Sequence, residues 1–227
     1  MLSIKRCLLA NTDWRYAVGE NGSCHQAILR YTDPIDDYTG FLPTTVRERE
    51  RKMLIQPPAN TEYNPYYHEY IRRVPPGDVL VLLETQIQST LALLRTVSDE
   101  QASVRPAPEE WNIKEIIGHI CDSERIFAYR ALRFARGDET ELPGFYQNPY
   151  VENGHFEERT LADLLDEFAT IRKANLYLFR HLTAADSERS GIASGNPMSV
   201  RALVYAIAGH EHHHMESIRT VYLGMAA

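Results

Sequence analysis

From residue 62 onward the apolar positions recur at steps of three and four, and four segments carry that spacing far enough to predict helices. The first is DVLVLLETQIQSTLALLRTV, 78 to 97, entered after Pro-Pro-Gly with Asp78 as its N-cap. The second runs from about Asn112 through IKEIIGHICDSERIFAYRALRFAR, with Gly137 placed to end it. The third opens on Thr160 and Asp163, a pair like a capping box, and continues through LADLLDEFATIRKANLYLFRHL to about residue 182. The fourth starts near Ser199, after Asn-Pro, and runs through VRALVYAIAGHEHHHMESIRTVYL to Gly224. No run of alternating β-branched residues competes with them. The pattern predicts an all-α four-helix bundle over 62–227, with a long connection, 138 to 159, between the second and third helices.

The chain reads differently before that point. Residues 1–61 scatter Trp14, Tyr16, Tyr31, Tyr38 and Phe41 without sustained period 2 or 3.6, and they hold turn formers such as TDPIDDYTG and the mixed-charge run RERERK at 47–52. This predicts a poorly structured, solvated N-terminal arm, with a small docked subdomain as the alternative. Met53 would then be an alternative start of translation.

Charge sharpens the division. The first 61 residues carry a net charge of +1 and the remainder −8, within a total of −7. An acidic body argues against general binding to nucleic acid or an anionic membrane, both of which need a basic surface. Cys7, Cys24 and Cys121 are odd in number and lack CxxC spacing, so they read neither as a disulfide framework nor as a zinc knuckle. No stretch has the length of a secretory or membrane segment, and a soluble, cytoplasmic protein is expected.

Candidate chemistry concentrates in GHEHHHMESI, 209 to 218. On the fourth helix Val200, Leu203, Ile207, Ile218 and Val221 form one stripe, and His210 and His214 fall inside it, whereas His212 points away and His213 lies at the margin. Two imidazoles one turn apart in an apolar seam cost desolvation unless each nitrogen finds a partner, which a metal or a set of hydrogen bonds would supply. On the second helix His119 flanks the apolar arc beside Ile116, Ser123 and Ile126, a position that permits a ligand role. Glu124 lies inside that arc; it is a candidate to orient a ligand histidine from behind, or to pair with Arg130 or Arg172. Arg172 is accordingly a candidate substrate contact as well as an ion-pair partner. Tyr146, Gln147 and Tyr150 sit on the long connection, where a lid or substrate wall is expected. Cys121 reads as core, and His25, His68, His155 and His181 read as surface residues.

WNIKEIIGHICDSERIFAYRALRFARGD, the following LPGFYQNPYV, and SVRALVYAIAGHEHHHMESIRTVY together resemble the DinB-like superfamily, which includes metal-dependent hydrolases of the YfiT type, over about residues 63–225. The resemblance implies a four-helix bundle with a divalent metal held by three histidines, matched here by His119, His210 and His214. The loop after LPGF carries Tyr146 and Asn148 where the family pattern has acidic residues. Zinc suits an open three-imidazole site, and nickel and iron share that ligand preference. Such a metal can activate water or hold a thiol as thiolate. The resemblance therefore implies a thiol S-transferase acting on a small thiol and an electrophile, with a hydrolase and a non-catalytic metal- or ligand-binding stress-response module as alternatives. It also suggests a homodimer.

Overall fold

Each predicted helix begins at its expected cap in the computed structural model. Asp78 accepts from the Leu80 amide at 2.9 Å, Asn112 and Glu115 close a reciprocal capping box, Thr160 accepts from Asp163, and Ser199 accepts from Ala202. Each such cap stabilises its helix start by about 1 kcal/mol, enough to choose where a helix begins but not to hold four together. That falls to burial.

The structure describes Ser3–Leu9, Thr12–Val18 and residues 55–226. The chain divides into two compact units, Met1–Glu48 and Arg49–Ala227. In the first, β1 (Ser3–Leu9) pairs antiparallel with β2 (Thr12–Val18), with Ser3 opposite Val18 and Leu9 opposite Thr12. The sequence reading contains no strand here. Tyr31, Tyr38, Phe41, His25 and the 47–52 run lie outside the described residues.

The second unit is the helical body. In chain order it holds α1 (His68–Ile71), α2 (Val79–Leu94), α3 (Asp99–Ala102), α4 (Ile113–Ala135), α5 (Gln147–Gly154), α6 (Leu161–Arg180), α7 (Ala184–Glu188), β3 (Ser190–Ala193), β4 (Asn196–Ser199) and α8 (Val200–Ser217). The four long helices α2, α4, α6 and α8 are the predicted bundle. Its body begins before residue 62: Ile55 and Tyr63 are buried in the core, and Glu62 pairs with Arg201, which holds the Glu62 carboxyl down to about 2.

Three features depart from the sequence reading. The connection after α4 contains the helix α5, and Leu142 bridges to Ala193. β3 and β4 form a hairpin ahead of α8, turned by Ser194 (φ 54°) and Gly195 (φ 72°), the paired positive angles of a tight type I′ turn. Val221, expected in the buried stripe, is 59% exposed, because after Ser217 the chain widens into a π-helical turn over Ile218–Tyr222 and the helical phase shifts.

The core is two apolar clusters. One gathers Leu83, Phe127, Phe134, Leu176, Phe179 and Leu203, and the other Ile87, Ile120, Phe168, Ile171, Met215 and Ile218. Along α4, α6 and α8 the step from one cluster to the other passes a polar level, where Glu124, Arg172, His210 and Glu211 are all buried, and Thr90 of α2 is buried against it. Among the described residues no helix is long and apolar enough to cross a membrane.

Candidate metal centre

The polar level holds two groups. In the first, His119 on α4 and His210 and His214 on α8 bring one nitrogen each within 4.8 Å of one another. The Nε2 atoms of His119 and His214 both stand 3.1 Å from the Nε2 of His210. The His119 and His210 side chains are buried, and His214 is partly so. Burial disfavours the charged imidazolium, pushing His119 down to about 4 and His214 to about 3, and it holds His210 well below the ordinary imidazole value with help from its histidine neighbours. All three are neutral at pH 7.

A neutral Nε2 either donates one proton or offers one lone pair. The His210 nitrogen, 3.1 Å from two others, therefore cannot make two separate good hydrogen bonds. A cation accepting three lone pairs satisfies all of them. Two imidazole ligands on a tetrahedral zinc, at ~2.0–2.1 Å each, stand about 3.3–3.4 Å apart, close to the observed spacing. The donor set fits a divalent metal.

The glycine before each of two histidines explains why the walls come so near. A Cβ on Gly118 would lie 2.3 Å from the Phe156 ring, and one on Gly209 would lie 2.0 Å from the Tyr70 carbonyl oxygen. Gly209 thus lets α1 lie directly on α8, and the Tyr70 ring meets both His210 and His213 edge-on at 5.3 Å. Trp111 packs on His119 at 4.9 Å, with its carbonyl accepting from the Tyr222 hydroxyl at 2.6 Å. Ser123 faces the His119 Nδ1 at 3.5 Å.

Two cavities border the trio. One, of about 140 Å³, is lined by His119, His210, Ser123, Phe127, Tyr67 and Tyr70 among others. The second, of about 320 Å³, includes His214, His213, Trp111, Glu109 and Glu110. Gln147, at the start of α5, lines both.

The second polar group corrects two sequence assignments. Glu124 does not reach behind a histidine: Arg172 donates to both its oxygens at 2.8 and 2.7 Å, and Asn175 donates at 3.1 Å. Arg172 also lies 2.9 Å from Glu211, and its remaining arm donates to the Leu83 carbonyl. Thr90 donates to Glu211 at 2.7 Å. Burial opposes the charge of Arg172, but the two carboxylates outweigh it and its pKa is raised. Arg172 is fully buried and lines neither cavity beside the histidines. The ion-pair alternative for Glu124 and Arg172 is the one the geometry realises.

The remaining candidates separate. Gln147 reaches both cavities, whereas Tyr146 is 83% exposed and Tyr150 packs on Phe145 at 5.3 Å. Cys121 is buried in the core and burial pushes its thiol up. His68, His155 and His181 are exposed, as expected. Sequence reasoning missed Tyr67, Tyr70 and Trp111, which come from segments outside the four helices. It also missed Glu211, although Ile207, Glu211, Met215 and Ile218 recur at helical spacing.

No curated protein matches the chain in sequence. Among solved structures, YfiT from Bacillus subtilis, described as a probable metal-dependent hydrolase with an unusual four-helix bundle topology, superposes with a TM-score of 0.58 at 14% identity, covering 74% of this chain and 94% of that one. That likeness speaks for the fold. A family model described as the DinB superfamily matches residues 82–218, which span α2 to α8 and carry all three converging histidines, and the chain belongs to that superfamily.

Proposed function

We propose that His119, His210 and His214 hold a divalent metal, zinc by preference, and that the protein is a metal-dependent enzyme transferring a low-molecular-weight thiol to an electrophile. The observation that carries this reading is the convergence of three neutral imidazoles at a level where both buried carboxylates, Glu124 and Glu211, are engaged by Arg172. A divalent ion there would supply Lewis acidity, keeping a thiol deprotonated well below its free pKa of about 8.5. The chain's own residues do the rest. Burial keeps each imidazole neutral and available as a lone-pair donor, Trp111 and Tyr70 fix the ring planes, and the cavity beyond Ser123 and Phe127 receives the electrophile. Thiol transfer needs no protein base, which suits the engaged carboxylates.

One observation favours hydrolysis as the second reading. Glu109 and Glu110 line the wider cavity with His214, where an exposed carboxylate could take a proton from water. The fold of YfiT is in keeping with either reaction.

Initial rates at neutral pH separate them. With zinc-loaded protein, conjugation of a small thiol to a chromogenic electrophile is expected to be accelerated, and the acceleration is expected to vanish in His119→Ala. Ester or amide hydrolysis that proceeds without thiol and is lost in the same variant would replace the first reading with the second. No metal-dependent rate on either substrate class would leave a binding module.

A further inference from the structure

The bundle buries two arginines, and they are treated differently. Arg172 faces two carboxylates. Arg130, 2% exposed, faces none among the described residues: its Nη2 donates to the Pro143 carbonyl at 2.7 Å and to the Ser194 hydroxyl at 3.1 Å, and its Nη1 is buried without a partner. A guanidinium is charged at any pH the protein meets. A buried charge with no counter-charge is costly, and an anion held there would offset that cost.

Its position says where that anion would lie. His119, Ser123, Phe127 and Arg130 recur at steps of four, four and three, one face of α4. The first three line the 140 Å³ cavity, as do Tyr67 and Ser194; Arg130 stands behind that wall and reaches it through its hydrogen bond to Ser194. Burial raises the Tyr67 phenol, and the nearby Arg130 guanidinium pulls it the other way. Side chains on a helix lean toward its N-terminus, so Arg130 leans back toward the histidines across a rise of about 16 Å between the two backbone positions. A cavity of this volume matches one that admits a benzene-sized body, and the Tyr67, Tyr70 and Phe127 rings give it an aromatic side opposite polar groups such as Ser123, Ser194 and Gln147.

We propose that Arg130, with Ser194 and Tyr67, is the anion-binding end of the cavity, and that the substrate is a small organic carboxylate with an apolar body no larger than an aromatic ring, its other end toward His119 and His210. As a substrate assignment this rests on the metal-centre reading. As a binding site it does not.

The test uses the full chain stripped of metal by a chelator, so that no carboxylate can be held by a metal instead. Acetate, benzoate and phenylacetate are titrated against acetamide, benzamide and phenylacetamide at matched ionic strength, following melting temperature and heat of binding. At least one carboxylate is expected to bind and raise the melting temperature, with its amide at least ten-fold weaker. Arg130→Met should abolish the preference and Arg130→Lys retain part of it. Should Arg130→Met fail to fold, Ser194→Ala is expected to weaken the carboxylate several-fold and leave the amide unchanged. Equal binding of acid and amide, no binding by any of the six, or a preference that survives both Arg130→Met and Ser194→Ala would overturn the proposal. Metal content measured on the same wild-type protein keeps the two readings apart: carboxylate binding without metal uptake sinks the metal centre and leaves the anion site, and the converse sinks the anion site alone.

Discussion

His210 and Glu211 are neighbours in the chain, yet about 100° of helical rotation separates them and each belongs to a different buried polar cluster. On the Glu211 side, two carboxylates close on one guanidinium, and threonine and asparagine side chains donate to the carboxylates. The charges are answered within the protein. On the His210 side three neutral nitrogens converge, one from each imidazole. Both clusters are largely hidden from water, so burial of polar atoms alone does not distinguish a structural brace from a site. What distinguishes them is whether the protein supplies the cation that its buried lone pairs face, as Arg172 does for the two carboxylates.

The largest effect that would break this contrast is all-or-none. Protein prepared without a histidine tag is expected to carry about one zinc per chain, the stoichiometry of an open three-ligand site, and elemental analysis of His119→Ala, His210→Ala and His214→Ala should each return background. His212→Ala should keep its metal. Near-full occupancy in His210→Ala would remove the site from the trio altogether.

Next comes the brace. Arg172→Ala leaves Glu124 and Glu211 buried with no cation and should cost about 3–5 kcal/mol in urea unfolding of the metal-free protein. Replacing the whole group, Glu124→Leu with Arg172→Met and Glu211→Leu, should be neutral or stabilising by up to about 4 kcal/mol and should keep zinc. Loss of zinc in that triple variant would mean that the two clusters are one unit.

A smaller effect appears with pH. His119 and His214 take up protons near 6.5 when unfolded but only near 4 and 3 when folded. Between those values the unfolded chain binds more protons, so the metal-free protein should lose stability as pH falls from about 6.5. Each histidine can contribute up to about 1.4 kcal/mol per pH unit, levelling off below its folded pKa. The slope of urea midpoint against pH should flatten in His214→Ala, and a wild-type midpoint constant from pH 6.5 to 4.5 would contradict buried, neutral imidazoles.

Much of the bundle was legible because a helix writes its buried face at steps of three and four and its start in one cap residue, as at Asn112 and Ser199. His119, His210 and His214 were legible for the same reason, with the family motif beside it. The hairpin before α8 was not, since SGIA and NPMS carry little β-branched alternation and are held by a two-residue turn. Nor was Tyr70, whose contacts with His210 and His213 join the two ends of the helical body, nor Trp111, which turns back onto His119 from just ahead of the Asn112 cap. Glu124 was correctly placed inside the bundle, yet spacing alone could not choose between Arg130 and Arg172 as its partner. That choice depends on how α4 and α6 are rotated against each other, and it decides which arginine is left without an anion.

Gly118 and Gly209 contribute no ligand atom and no charge, yet the space above each is filled by another segment of the chain. An alanine at either position removes nothing from the chemistry and adds a single carbon where the Phe156 ring or the Tyr70 carbonyl already stands. Tolerance to substitution around this centre should therefore be lowest one residue ahead of two of its histidines: the ligands could be kept intact while the walls that enclose them are pushed away, and a catalogue of ligand residues alone would misjudge which changes the protein can survive.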